Sequence, residues 1–493
     1  MLSALVACVG FFVYLVLFSD FIYIQYDAYY YAAIADNFLS NGTIRDGSSV
    51  PPLPVKTPQN AIVIAHIILD LLGVESLTER LVLIAFLNSL SLVASCYVLF
   101  RIAMVFDIDR QAAFLVSLTL SLSFYYHMVL LQAINDALFL LLSLFAIYLI
   151  VRGRCSRRCM VMLALIAAVI PFFRVAGILV FFSAFVTHLL LRQYRHSMLF
   201  LALVALGAIT PFVTSGVLGV DYSGFGERKD QIVGLYGIQF FADHLWRTVS
   251  ISVPEAFVRL TYFTTGIAIR PAAVGFLISI TVMGFVVVAV LRSWRNKDAK
   301  LLYLCIFVAA VLTFFQLHTA QPTRYILVLS PLLPLFLLLA FRGKEQLLAA
   351  RGFFALCVLV TIAGIAVSEK PGEAWLKKQY SADMKAFLEN KDYLLLSYFP
   401  RVTYFLLEKP TQQLEYLDPL ATPGNILVVG PPDYVNHAIG QIARAGPIEV
   451  KSAELLPGQF FDYRKNTDAA AYFQYDRIPI RSAWLTIDTG SGK

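Results

Sequence analysis

The sequence predicts a polytopic α-helical membrane protein with a C-terminal α/β domain on one side of the bilayer. Three observations predict it. The 493-residue chain is 59% hydrophobic and only 14% charged, against about 25% charged in ordinary soluble domains. Its apolar residues gather in long runs separated by short basic clusters, and the mean hydropathy is +0.72. From about residue 368 the character changes: Ser368, Glu369, Lys370, Pro371 and Gly372 open a polar, mixed-charge segment. This composition excludes a disordered protein and most soluble enzymes. The net charge of +7, from 39 Lys+Arg against 32 Asp+Glu, is not gathered into one basic stripe, so no nucleic-acid partner is expected.

A helix needs about 20 predominantly apolar residues to cross the hydrocarbon core. Runs of that kind lie near 2–18, 80–101, 111–126, 131–151, 159–173, 175–191, 197–219, 272–291, 300–317, 325–341 and 352–367, which makes about 11 transmembrane helices. The fifth and sixth are short and meet around Pro171 and Arg174, as a tight pair or a partly re-entrant one. Residues 1–367 thus form the membrane domain, with long loops at 19–79 and 220–271, and residues 368–493 a separate domain.

The loops set the orientation. With the N-terminus cytoplasmic, the cytoplasmic loops carry Arg101/Arg110, Arg152/Arg154/Arg157/Arg158, Arg192/Arg195, Arg292/Arg295/Lys297/Lys300 and Arg342/Lys344/Arg351. Five short basic clusters on one side satisfy the positive-inside rule. The first apolar run lacks a basic leader and a small-residue cleavage site, so it reads as a retained span. Eleven crossings put the C-terminal domain outside. There, NILVVGPPDYVNHAIGQIARAGPIEV reads as strand, turn, helix and strand, and SADMKAFLENKDYLLLSY as helix then strand. Its GPPD turn lacks the GxGxxG spacing of a nucleotide site.

Six cysteines, at 8, 96, 155, 159, 305 and 357, are too scattered for a disulfide framework. Cys155 and Cys159 flank a basic loop without the further ligands of a zinc site, and no metal is assigned.

Ionisable groups near a bilayer are costly unless they are paired or used. Four places carry them, all on the extracytoplasmic side. Asp27 follows the first span within a belt of Tyr23, Tyr26, Tyr29, Tyr30 and Tyr31, and the spacing of Tyr31, Ala35 and Phe38 is helical. Lys56 sits in PPLPVKTPQN, where prolines hold the backbone extended, ahead of an apolar stretch at 61–72 too short to span comfortably. Asn135 and Asp136 open the fourth span, where an N-cap role competes with a functional one. Arg324 and Tyr325 open the tenth span beside His318, and Arg174 lies in the PFFRVAG turn on the same side. Each alone is an aromatic girdle, a solvated anchor or a snorkelling cation. Together, an acid, a lysine and two arginines at one membrane face suit transfer of a group from a lipid phosphate. Cations neutralise the departing phosphate, and a base deprotonates the attacking hydroxyl. No Ser/His/Asp or HExxH arrangement points elsewhere.

These residues resemble a known family. Asp27 and Tyr31 with AIADNFLSNG resemble the first-loop signature of the GT-C superfamily of lipid-dependent glycosyltransferases, in the branch of protein O-mannosyltransferases and the lipid A aminoarabinose transferase. Lys56-Thr57-Pro58 is similar to that branch's Lys-Pro-Pro loop and NDALFLLLSLFAIYLI to its span-four segment. FFRVAGILV is similar to its Arg-x-x-Gly turn, and TRYILVLSPLLPLFLLL to its late Arg-Tyr span. The resemblance implies inverting transfer of a sugar from a polyprenyl-phosphate donor to a lipid, glycan or protein acceptor, outside a membrane such as the bacterial inner membrane. It implies Asp27 as the general base or acceptor-positioning acid, and Lys56, Arg324 and, more weakly, Arg174 as donor-phosphate ligands. Tyr31, Asp136 and Tyr325 would line the cavity and orient these groups. No cofactor is required, with a divalent cation left open. The branch often carries a second acid directly after the first; here Ala28 follows Asp27, and Asp136 is the candidate replacement. Three alternatives are a transporter or flippase of an anionic or polyprenyl-linked lipid, a membrane scaffold, and a glycan polymerase or ligase. A transporter predicts internal repeats and mid-span charges, which the sequence does not display.

Overall fold

The computed structural model describes residues 26–55, 61–122, 136–153, 156–218, 298–316, 328–341, 343–367, 388–398, 409–412, 424–445, 459–464 and 475–487, with isolated positions between 242 and 295 and between 374 and 417. The expected first span, 2–18, lies outside them.

After α1 (Tyr26–Asn41), three two-residue strands follow: β1 (Arg45–Asp46), β2 (Ser49–Val50) and β3 (Leu53–Pro54). Helices α2 (Ala61–Leu71), α3 (Leu77–Val105), α4 (Arg110–Leu122) and α5 (Asp136–Arg152) come next. They are succeeded by α6 (Arg157–Val169), two 3-10 turns at Ile170–Phe172 and Val175–Gly177, and α7 (Ile178–Leu190). Then come α8 (Tyr194–Leu218), α9 (Ala299–Gln316), α10 (Leu332–Ala340) and α11 (Lys344–Val367). These helices overlap the expected spans at 80–101, 111–126, 131–151, 159–173, 175–191, 197–219, 300–317, 325–341 and 352–367. Between 272 and 291 the described positions are helical. Among the described residues two helices, Leu77–Val105 and Tyr194–Thr214, are long and apolar enough to cross a bilayer, against the eleven expected over the whole chain. The apolar stretch after Lys56 is an 11-residue helix, about 16 Å long at 1.5 Å per residue and too short to cross.

The caps explain several boundaries. Ser76 accepts a hydrogen bond from the Glu79 amide at the start of α3, and Ser156 does the same for Cys159 at the start of α6. Asp109 Oδ1 accepts from the amides of Gln111 and Ala112 and starts α4. Between α3 and α4, Asp107 turns the chain at φ 55°.

The C-terminal region is a seven-stranded mixed sheet in the order β2-β6-β5-β7-β9-β8-β4. It is built from β4 (Ala374–Trp375), β5 (Tyr393–Ser397), β6 (Thr411–Gln412), β7 (Gly424–Gly430), β8 (Gln459–Arg464) and β9 (Tyr475–Ile487). The strand and helix expected in NILVVGPPDYVNHAIGQIARAG are β7 and α12 (Pro432–Ala445), and the YLLLS strand is β5. The third element expected there, a strand near 447–450, lies outside the described residues.

Alternation along the strands divides this sheet into two apolar faces. Leu396, Ile426, Val428, Ala483 and Leu485 pack with Val435, Ala438 and Ile442 of α12. Leu395, Leu427 and Val429 face the other way and belong to the same continuous apolar cluster as the membrane helices. Parallel register pairs Leu395 with Leu427 and Leu396 with Val428, so each face stays uniform across the strands.

The domain boundary drawn at 368 is crossed by this sheet. Ser49–Val50 of the first loop pairs in parallel with Thr411–Gln412. Ser48 O accepts from both the Thr411 amide, at 2.9 Å, and its hydroxyl, at 3.0 Å. The loop that carries the candidate residues is therefore an edge strand of the C-terminal sheet.

Candidate active site at one end of the helices

The site is built from α1, the 3-10 turns and the start of α5. α3 and α5 pack along one another. Near their C-terminal ends Arg101 donates to the Tyr148 hydroxyl at 3.2 Å, so the two helices run in the same direction. From Tyr148, Asp136 lies 12 residues back along α5, about 18 Å at helical rise. Arg80 lies about 32 Å from Arg101 by the same measure. Arg80 and Asp136 therefore occupy the same end of the bundle, with α3 rising beyond the start of α5.

At that end Asp136 and Arg174 form an ion pair in which Arg174 Nε and Nη2 both donate to Asp136 Oδ1. Their side chains are only 2% and 10% exposed. The local sequence places them there. Pro171 sits in the first 3-10 turn and ends α6, and Arg174 follows in extended backbone at φ −156°, ψ 131°. Gly177 closes the second turn against Ile170, where a Cβ would stand 2.6 Å from Ile170 Cγ1. The Arg-x-x-Gly spacing thus has a packing reason: only a glycine lets the second turn lie on the first. The α6 and α7 helices are 13 residues each, about 20 Å. That is short of the ~30 Å hydrocarbon core.

Asp136 Oδ2 is buried and has no hydrogen-bond partner among the described residues. An unpaired carboxylate oxygen inside a low-dielectric site is costly and can accept a proton or a hydrogen bond from a ligand. The N-cap reading of Asp136 is therefore insufficient, because its ordered contact is to a side chain 38 residues away.

The helix carrying Asp27 is fastened to this end by a second set of charges. On α1, Asp36 accepts from Arg80 Nη2 at 2.7 Å, and Asp70 of α2 lies 3.4 Å from Arg80 Nη1. Arg80, at 4% exposure, ties α1, α2 and α3 together. Beside it His66 is fully buried, and neither ring nitrogen has a hydrogen-bond partner among the described residues. Burial and the Arg80 charge push its imidazole down to about 3. Gly47 presses the β1–β2 turn onto α1, where a Cβ would stand 2.7 Å from that of Asn37. Sequence reading missed Arg80, Asp36, Asp70 and His66. An arginine opening an apolar run was the available signal.

Of the residues expected from sequence, Asp136 and Arg174 are brought into contact. Asp27 lies on α1 one turn before Tyr31, which is buried at 4% exposure with its ring centroid 5.7 Å from that of Tyr30. The Asp27 side chain, Lys56, Arg324 and Tyr325 lie outside the described residues. No group of three or more His, Cys, Asp or Glu placed to hold a metal ion occurs among the described residues.

Solved structures share this architecture. ArnT from Cupriavidus metallidurans bound to undecaprenyl phosphate superposes with a TM-score of 0.59 and 13% identity, over 97% of this chain and 97% of that one. The chain has the fold of this ArnT. The apo form of the same ArnT gives a TM-score of 0.58 at 11% identity, over 98% of this chain and 97% of that one. The archaeal oligosaccharyltransferase AglB from Archaeoglobus fulgidus, in complex with an inhibitory peptide and a dolichol-phosphate, gives 0.52 at 12% identity, over 87% of this chain and 69% of that one. No protein-family model and no curated protein sequence matches the chain.

Proposed function

We propose that the chain is an integral-membrane inverting glycosyltransferase that moves a sugar from a polyprenyl-phosphate donor to a hydroxyl-bearing acceptor on the extracytoplasmic face. The observation that carries the reading is the buried Asp136–Arg174 pair, at the end of the bundle to which the Asp27 helix is fastened. It lies in a GT-C fold whose solved examples hold undecaprenyl phosphate and dolichol-phosphate. Near-complete coverage of ArnT in both directions, including the C-terminal sheet, supports a whole-chain likeness rather than a shared helical core.

Asp27 deprotonates the acceptor hydroxyl, which attacks the anomeric carbon as the bond to the donor phosphate breaks. Lys56 and Arg324 take up the charge that grows on the leaving lipid phosphate. Arg174, neutralised by Asp136, is better placed to shape the cavity than to act as a full phosphate cation. Asp136 supplies the second carboxylate that Ala28 does not, a role its unpartnered Oδ2 supports. Tyr31 and Tyr325 line the cavity. The cations perform the electrostatic work without a cofactor. The setting is a bacterial inner membrane, with the N-terminus in the cytoplasm and the C-terminal domain outside.

Transfer from a panel of polyprenyl-phosphate sugars by the purified protein tests the reading. Turnover with one donor and its loss in Asp27→Asn support it, and absence of binding to every polyprenyl phosphate removes it.

A further inference from the structure

A cavity lies at the end of the bundle opposite the Asp136–Arg174 pair. It has a volume of about 790 Å³ and is lined by α3, the first turns of α4 and one residue of α11. Its walls are apolar, including Val93, Phe100, Phe114 and Leu118, and Arg110 and Arg351 stand on it. Phe114 is 42% and Tyr97 41% exposed. On the outside of a membrane helix, such rings face acyl chains.

The charge on this groove is uncompensated. Neither Arg110 nor Arg351 is ion-paired with a carboxylate among the described residues. Asp109, the nearest acid in sequence, is turned onto the backbone amides of Gln111 and Ala112. Tyr97, on the groove wall, accepts a hydrogen bond from Arg101 at 2.8 Å and keeps its own O–H to donate. The groove opens beside the N-terminus of α4, whose dipole also favours an anion. Two guanidiniums at one end and an apolar trough beyond them match one ligand class: a phosphodiester headgroup with acyl chains.

We propose that this groove is a binding site for an anionic phospholipid of the cytoplasmic leaflet. Its phosphate lies between Arg110 and Arg351, and an acyl chain lies along Phe100 and Phe114. The site is separate from the Asp136–Arg174 end, and the proposal rests on the membrane orientation of the chain and not on its chemistry.

Native mass spectrometry of the full-length purified protein, titrated with phosphatidylglycerol or phosphatidylcholine, tests it. The wild type is expected to prefer phosphatidylglycerol by about 30-fold, since each of the two basic residues at a lipid surface contributes roughly 1 kcal/mol. Arg110→Gln/Arg351→Gln should reduce the preference to within about twofold, by loss of the same contribution. Arg157→Gln/Arg158→Gln, which removes two basic-loop charges elsewhere, should keep it. A preference retained by the first double variant overturns the proposal. So does an equal loss in both double variants, which would mark a general surface field, or no preference in the wild type. Glycosyl transfer, read separately, does not decide this outcome.

Discussion

Breaking the Asp136–Arg174 pair from one side should cost about 3–5 kcal/mol, because it leaves a buried charge without its partner. The magnitude follows from the surroundings. Asp136 is 2% exposed, its Oδ1 takes both contacts from the guanidinium, and its Oδ2 is already unpaired. In Arg174→Met the carboxylate keeps its burial and loses its only ordered partner among the described residues. In Asp136→Leu the guanidinium loses that carboxylate instead. The double variant Asp136→Leu/Arg174→Met removes both charges, and paired hydrophobic replacement of a buried ion pair is close to neutral. The four proteins form a cycle read by equilibrium unfolding in mixed micelles. The expected coupling is at least about 2 kcal/mol, with the double variant more stable than either single one. Additive losses, with the double variant the least stable, would refute the reasoning and show that the two side chains act independently.

Four other outcomes follow from the same structure. Asp27→Asn should fold normally and lose at least ~100-fold in transfer rate if Asp27 is the base, which initial rates on a saturating donor measure. Gly177→Ala should destabilise by about 1–3 kcal/mol, since its Cβ meets Ile170 and the turn holding Arg174 must shift; unchanged melting and rate would contradict this. Thr411→Pro removes the amide that bonds Ser48 O, and limited proteolysis should then cut faster between residues 46 and 60 with the helices intact. His66 gives a pH dependence. Its folded value, about 3, lies below the ordinary 6.5, so its stability contribution is complete above 6.5 and lost as pH falls towards 3. Acidifying from 8 to 5 should cost about 2 kcal/mol, absent in His66→Met.

Much of the fold was legible because apolar runs and basic loops are strong signals in a membrane protein. The α3, α8 and α9 helices fall where hydropathy places them, and the α6–α7 pair is short on either side of Pro171 as its sequence suggests. The start of α11 is different: Lys344, Glu345 and Gln346 are polar, yet they extend the helix about two turns before the apolar run, and the Gln346 amide bonds the Leu338 carbonyl. The site was half legible. Asp136 and Arg174 could be chosen as ionisable groups near one face, but their pairing depends on how two chain segments 38 residues apart meet. Arg80 opens an apolar run, but its two acids lie on α1 and α2, 44 and 10 residues away in sequence. The β2 strand left no trace at all. Two residues make no alternation, and its partner strand lies over 360 residues on. Sheet edges completed across such a distance are set by tertiary pairing, not by local propensity.

The most direct test of the central claim is turnover of polyprenyl-phosphate sugars by purified wild-type protein beside Asp27→Asn. The wild type should transfer or hydrolyse at least one such donor, and the variant should bind the same lipid but not turn it over. Equal turnover by both would show that Asp27 is not the base, and failure of the wild type to bind any polyprenyl-phosphate sugar would contradict the glycosyltransferase reading itself.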